Sequence, residues 1–439
     1  MYKRQRFSYK LISDIDLTGS SIIIGGTFLG TFDGSNKVLS NWTYTGGAGY
    51  GFFNAIGSGG AGLIQNLGLE NVVITDGGGA VLGALVGKMG GGAILNSHVT
   101  GTMNTALQNP TGGLVGSAEN GVIKNSYSTV TVTQTNTSGT SVGGLVGFVS
   151  GALIQDSFST GNVTGCGKVG GFVGTAEGGG STFIGDYVSG NVLDGNCGST
   201  TAQMGGFIGF AASSAFLSSY ATGTVTGNAS TGLSSFAYGG FTGFGSFNYY
   251  SGVHATGNVR GRINSGGLLG QSNGDMVLRS YATGSLNLNP PTGYSSAQNI
   301  GGFAGQVSGG LFRDSYANGS ASGFLAVGGF VGLNYNLHVL SSVATGAIKG
   351  TQYVGSMVGA NYSGSYTYSA ALGHNYAASG GFASYSPALQ PGNDVMAPVW
   401  SWVTPAAVYT GCELNMTASA TWDPTIWYLP TNGGLPTFR

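Results

Sequence analysis

The sequence predicts an all-β fold, a right-handed parallel β-helix (β-solenoid) with about 27–35 residues per coil. Three observations predict it: a glycine-bounded word that recurs along most of the chain, a second word that keeps register between the copies, and the lack of any long apolar pattern with a helical period. The first word is Gly-Gly-apolar-apolar-Gly. With small variations it begins at Gly112, Gly143, Gly170, Gly205, Gly239, Gly266, Gly301 and Gly328, and degenerate copies begin at Gly83 and Gly355. Successive starts lie 27 to 35 residues apart, as a constant coil with loop insertions requires.

The second word, Ser-aromatic-x-Thr-Gly, fixes the alignment. Its aromatic column reads His98, Tyr127, Phe158, Tyr187, Tyr220, His254, Tyr281, Tyr316 and Val343. One residue earlier come Ser97, Ser126, Ser157, Asp186, Ser219, Val253, Ser280, Ser315 and Ser342, and a Thr column stands immediately before the Gly. Parallel strands stacked about 4.8 Å apart put equivalent side chains over one another, so rings stack and hydroxyls bond along ladders. Tyr127, Phe158, Tyr187, Tyr220, His254, Tyr281 and Tyr316 are therefore read as a structural ladder. One period is too short to bury its own core but shares one with its neighbours. The right-handed sense follows from the usual crossover between parallel strands.

In chain order, residues 1–7 form an anomalous start. Met1-Tyr2-Lys3-Arg4-Gln5 reads like a frame of a sequencing adapter joined to a truncated gene, so a missing signal peptide is uninformative. Residues 8–82 read as divergent opening coils, with Ile15 and Leu17 alternating with Asp14 and Asp16 and a turn at Asp33-Gly34. Residues 83–360 hold the regular repeat. Residues 361–439 read as degenerate coils and a C-terminal cap, where Pro density rises and Trp400, Trp402, Trp422 and Trp427 appear.

Composition narrows the function. Gly supplies 86 of 439 residues at fixed places in the words, which indicates tight corners and not disorder. Only 7% of residues are charged and the net charge is −1, so no basic stripe exists to meet nucleic acid. No run of about 20 apolar residues could span a membrane. Cys166 and Cys197 follow the words of consecutive periods, and a bridge between them is the expectation, with Cys412 left over. No zinc spacing occurs, and neither a metal nor a cofactor is expected.

Catalytic candidates are Asp156, Asp186, Asp194, Asp275 and Asp314, with Arg260, Arg262, Arg279 and Arg313 as a small basic group. Asp156 and Asp186 stand in the repeat words, where a turn or ladder hydrogen bond accounts for them. His98 and His254 fall in the aromatic column, which stacking explains. Asp14, Asp16 and Asp33 are weighed as calcium ligands, though no calcium-loop signature surrounds them. The stretch 195–259 holds no Asp, Glu, Lys or Arg and is rich in aromatics. Phe247, Tyr249, Tyr250 and Tyr238 there are the candidate glycan-binding residues, set against plain ladder packing. Thr129-Val130-Thr131-Val132-Thr133 suggests an ice-binding face, but the neighbouring periods do not read as a matching double Thr column.

The copies at Gly113–Gly116 and Gly143–Gly147, with Asn125-Ser126-Tyr127 and Asp156-Ser157-Phe158, resemble the GLUG-motif repeats of bacterial surface and secreted proteins. The resemblance covers about residues 8 to 360. It implies a β-solenoid, export to the cell surface or medium with the signal peptide lost by truncation, and a non-catalytic role as the passenger or stalk of an adhesin that meets glycans or host and cell surfaces. Some immunoglobulin-A-cleaving metallopeptidases carry such repeats beside a catalytic domain, but the His-Glu-x-x-His of that domain is missing, since His98, His254, His338 and His374 precede Val99, Ala255, Val339 and Asn375. The alternatives are a polysaccharide lyase or glycoside hydrolase on a β-helix and, after it, an ice-binding solenoid.

Overall fold

The computed structural model describes residues 7–46, 50–57, 59–76, 81–106, 109–136, 140–195, 202–227, 236–287, 298–367, 370–371, 375–377, 427–428 and 437–438. Among these residues every regular element is a β-strand. The chain divides into two compact units, the first being residues 1–236 with 241–243 and the second 237–240 with 244–439.

In the first unit, one coil runs Thr140–Gly143, Val146–Ser150, Leu153–Gln155, Phe158–Ser159 and Val163–Gly165. Each strand pairs in parallel with its counterpart one period earlier, so that Val146 lies beside Val115, Ile154 beside Ile123 and Phe158 beside Tyr127. The next period repeats the match through Val173, Phe183 and Tyr187. The stacking already operates in the opening residues, where Ser8–Lys10 pairs with Thr31–Asp33, and that strand in turn with Leu63–Gln65. In the second unit, Met276–Leu278 pairs with Leu311–Arg313, Tyr281–Ala282 with Tyr316–Ala317, and Ile263–Gly266 with Gln298–Gly301. Coil stacking continues past residue 360, with Val358–Thr367 beside Val331–Leu340 and Asn375–Ala377 beside Ile348–Gly350. Of the predicted cap, Trp427–Tyr428 pairs antiparallel with Thr437–Phe438. Trp400, Trp402 and Trp422 lie outside the described residues, as do Met1–Gln5.

The glycine word is a packing requirement. A Cβ on Gly143 would strike the Val146 carbonyl and come within 2.8 Å of the Gly174 nitrogen in the next coil, and one on Gly144 would strike the Gly171 carbonyl. At Gly147 it would sit 2.6 Å from both the Gly116 oxygen and the Thr111 nitrogen. Backbones of adjacent coils cross there with no room for a side chain. The two apolar letters between the glycines, Leu145 and Val146, are fully buried, as are Phe172, Val173, Phe207 and Ile208 at the same letters of later copies.

The Ser column is an internal ladder. Ser126 Oγ donates to its own coil at Lys124 O (2.8 Å) and accepts the Ser97 N–H of the preceding coil (3.1 Å). Ser157 Oγ repeats both bonds with Gln155 O and Ser126 N. Within the second unit Ser280, Ser315 and Ser342 do the same. These side chains are fully buried, so each hydroxyl satisfies a backbone group that would otherwise be stranded. Asp186 takes the Ser place by accepting the Ser157 N–H (2.8 Å) and the Ile184 N–H (3.1 Å) on its two oxygens.

Asn and Asp before the Ser column turn the corner. Asn66, Asn96, Asn125 and Asp156 all have φ near +50°, the left-handed region that short amide and carboxylate side chains tolerate. The amide of Asn125 donates to Asn96 Oδ1 (3.1 Å) and that of Asn96 to Asn66 Oδ1 (3.0 Å), which forms a second ladder.

Gly147→Ala is expected to lower unfolding free energy by more than about 3 kcal/mol, since backbone, and not a flexible side chain, blocks the new methyl. Gly25→Ala, where a Cβ meets nothing within 4 Å, is the control and should stay within about 0.5 kcal/mol of the parent. Ser126→Ala strands the buried Ser97 N–H and should cost roughly 1–3 kcal/mol in urea unfolding.

Candidate functional site

The predicted aromatic column is a continuous stack within each unit. In the first, ring centroids step from His98 to Tyr127 to Phe158 to Tyr187 to Tyr220 at 4.7, 4.6, 4.8 and 5.2 Å, with planes within 9° of parallel. In the second, His254, Tyr281 and Tyr316 follow at 4.5 and 4.9 Å. Faces of neighbouring rings cover one another, so an interior ring of the stack presents only its edge to solvent. Burial among these rings pushes the Tyr316 hydroxyl up to about 12 and lowers His254, because the charged form of each loses water. His98 also holds Glu70 through Nε2 at 3.0 Å from Oε1.

The four residues proposed from sequence for glycan binding do not share a face. Tyr250 and Tyr238 are 0% and 1% exposed and belong to the core, whereas Phe247 is 67% and Tyr249 36% exposed. The reason is the two-residue period of a strand: in Tyr249–Ser251 adjacent side chains point to opposite sides, so Tyr249 outward sends Tyr250 inward. Tyr238, in the strand Phe236–Gly239, is likewise buried immediately before its repeat word and does not project from a loop. Sequence reading missed Met276, which pairs directly with Tyr249 one coil on and is 42% exposed. Phe247, Tyr249 and Met276 are the large apolar side chains that the second unit exposes in this region. Phe247 has φ +54°, and the same place in the following coils is taken by Gly274 at +68° and Gly309 at +71°. The Phe247 ring lies against Gly274, where an added Cβ would come within 2.6 Å of it.

The acids considered for catalysis or metal binding hold the scaffold. Asp14 accepts the Val38 N–H (2.9 Å), Asp16 accepts from Thr18 and Asn41, and Asp33 accepts from Ser35 and Asn66. The Asn41 amide foremost holds Asp16 below the usual carboxylate range, and the Ser35 N–H does the same for Asp33. Asp156 accepts from Gln155 Nε2 at its left-handed corner, Asp194 ends a strand beside Gly165, and Asp314 accepts from Arg313 Nε at 3.1 Å. Arg279, also left-handed, is exposed and gives its N–H to Arg313 O.

Asp275 is fully buried. It accepts from the Asn248 N–H (2.8 Å), Asn248 Nδ2 (3.0 Å) and Ser272 Oγ (2.7 Å), while burial raises it to about 7. Desolvation raises Asp186 well above the carboxylate range as well, against two N–H donors that pull it down. Among the described residues no three His, Cys, Asp or Glu side chains gather as a metal site. His374 lies outside them.

Cys166 is buried and disulfide-bonded. Its predicted partner Cys197 lies outside the described residues. No helix among the described residues is long and apolar enough to cross a membrane.

Three comparisons bear on this geometry. The GLUG motif matches residues 111–133 and 138–164, two consecutive coils of the first unit. No curated protein sequence matches the chain significantly. Among solved structures, one from Bacteroides ovatus, provisionally described as an immunoglobulin A1 protease, is similar at 21% identity and a TM-score of 0.44, covering 57% of this chain and 77% of that one. The repeat words build a β-solenoid of parallel coils, and two adjacent coils of it carry the GLUG motif, as is consistent with a GLUG-repeat β-helix.

Proposed function

We propose that the chain is the passenger or stalk region of an exported bacterial adhesin, without an active site of its own, and that Phe247, Tyr249 and Met276 form a patch that stacks on sugar rings. The observation that carries the reading is Phe247. A phenylalanine in the left-handed region costs roughly 1–2 kcal/mol; the two following coils avoid that cost with Gly274 and Gly309, and the next places Asn336 there at φ +61°. At 67% exposure it recovers little by burial, so strain is spent on a ring displayed to solvent. Large apolar groups shown together on a soluble surface characterise contact sites. A flat aromatic beside a second one suits the apolar face of a pyranose. The role of the acids in corners and ladders supports a scaffold over a lyase or hydrolase, and the disulfide at Cys166 fits an oxidising compartment outside the cytosol.

On a glycan array, the protein should bind a subset of sugars, and Phe247→Ala or Tyr249→Ala should remove that binding without unfolding the chain. Phe247→Gly should bind no better than Phe247→Ala yet unfold at higher denaturant, because it releases the strained backbone. A parent protein that binds no glycan, or variants that bind as it does, would end the sugar-binding reading.

The scaffold role of Asp275 has its own signature. Its folded value of about 7 exceeds the ordinary 3.8, so across that interval the folded chain keeps a proton that the unfolded chain has lost. The resulting stability is complete below the lower value and declines as pH rises towards the higher one. Asp275→Asn, which copies Asn248 in the paired coil, should flatten this decline and make the protein more stable than the parent at neutral pH. Urea unfolding of both proteins from about pH 4 to about pH 8 reads the difference.

A further inference from the structure

The strand register joins residues that sequence inspection keeps apart. Thr102 pairs with Thr131 and Asn104 with Thr133; Thr133 then pairs with Thr164, Thr164 with Leu193, and Leu193 with Thr226. Because Val132, Val163, Val192 and Val225 are paired in the same way, Thr131, Asn162, Asn191 and Thr224 fall in line one residue before them. The Thr column before the glycines lies two residues further back. Its N–H bonds, Thr129 to Val99 O, Thr160 to Ser128 O, Ser189 to Ser159 O and Thr222 to Val188 O, run along the same stack.

Five consecutive coils of the first unit therefore carry three outward columns, at residues 100, 102 and 104 and at their equivalents up to 222, 224 and 226. Of these fifteen positions ten are Thr and three Asn, with Ser189 and Leu193 completing the set, and none is charged or aromatic. All fifteen are half-buried or exposed. The residues between the two outer columns, Met103, Val132, Val163, Val192 and Val225, are buried and hold the face from behind. As read from sequence, the coils on either side of Thr131 and Thr133 do not repeat both Thr: they hold Thr102 with Asn104 and Asn162 with Thr164, so the aligned columns mix Thr with Asn. At the same places of the word the second unit has Asn258 with Arg260, Ser285 with Asn287, Ser320 with Ser322 and Ala347 with Lys349, so the Thr of these two columns is confined to the first unit.

We propose that this face binds ice. Its grid repeats about 4.8 Å from coil to coil and, between the second and third columns, about 6.7 Å from residue i to i+2, while the column before the glycines is separated from them by a bend at Gly161, Gly190 and Gly223. These repeats lie close to those of hexagonal ice. Each Thr presents a methyl group, around which water forms cages, and a hydroxyl that can enter the water lattice. The columns are fixed by backbone bonds and a packed core, so the array loses little freedom on meeting a crystal. Asn162 and Asn191 are held in particular, since their Oδ1 atoms accept the Asn191 and Thr224 N–H groups at 2.9 Å.

The test is nanolitre osmometry and ice-recrystallisation assay of the purified full chain. The parent should shape growing crystals, open a gap between melting and freezing, and keep annealed ice fine-grained. Thr131→Lys and Asn162→Lys, exposed positions at the centre of the face, should lose most of the gap, with circular dichroism melts confirming that each still folds. Gln155→Lys, in a different strand of the same stack, should retain it. Disc-shaped ice without a gap in the parent overturns the proposal, and so do central lysine variants as active as the parent. Binding to insoluble crystalline polysaccharide without any effect on ice also overturns it.

Discussion

Each coil completes its backbone hydrogen bonds with the coil before it and the coil after it, and this register between coils is the constraint on which the structure depends. A strand of two or three residues makes no stable sheet by itself. Repeated in line, it finds a partner on either side, and the same letter of the word then meets itself at each step. This one fact explains why the side chains come as columns: rings meet rings, hydroxyls meet the N–H groups of the preceding coil, and glycine meets backbone. It also explains the low charge. A Lys or Glu column would place like charges about 4.8 Å apart along its whole length, whereas Ser, Thr and Asn can donate and accept in sequence.

The buried Ser column shows how the constraint assigns residues. A hydroxyl can both give a proton to the carbonyl two residues back and take one from the coil before, which no aliphatic side chain can do. Ser97 serves Leu67 in this way as Ser126 serves Ser97. Asp186 serves Ser157 but takes the Ile184 N–H where a serine would donate to a carbonyl, and burial opposes its charge. Asp186 and Asp275 are thus explained by the groups they satisfy, each tied to two or three donors and withdrawn from water.

Much of this was legible in the sequence because ladder positions must repeat. The aromatic and Ser columns, the glycine words and the corner residues before Ser126 and Ser157 could be aligned by eye, since each keeps its chemistry where the fold demands it. The candidate sites were less legible for the opposite reason. Tyr249 and Tyr250 look equivalent in a list of aromatics, and only the strand phase separates the displayed ring from the buried one. The left-handed backbone at Phe247 had one available signal, alignment with Gly274 and Gly309, and that required knowing the coil boundaries through an insertion. Met276 carried no signal apart from its pairing with Tyr249.

Outward columns are where a solenoid of this kind is free to vary, which gives their departures from randomness weight. The inward letters are set by volume and the corner letters by φ. An outward position on a strand has neither requirement, and a typical protein surface fills such places with charges of both signs. Five coils that instead hold Thr, Asn and Ser at fourteen of fifteen outward places depart from that expectation without any gain in packing. Corner hydrogen bonding accounts for the column before the glycine, as at Thr100, whose Oγ1 takes the Asn71 N–H. It does not account for the columns beyond, where Thr102 and Thr131 stand on strands and Thr224 immediately precedes one. The middle column has a ladder role of its own at Asn162 and Asn191, so it is the Thr of the outermost column that the proposed ligand accounts for, and a periodic surface is best matched by a periodic ligand.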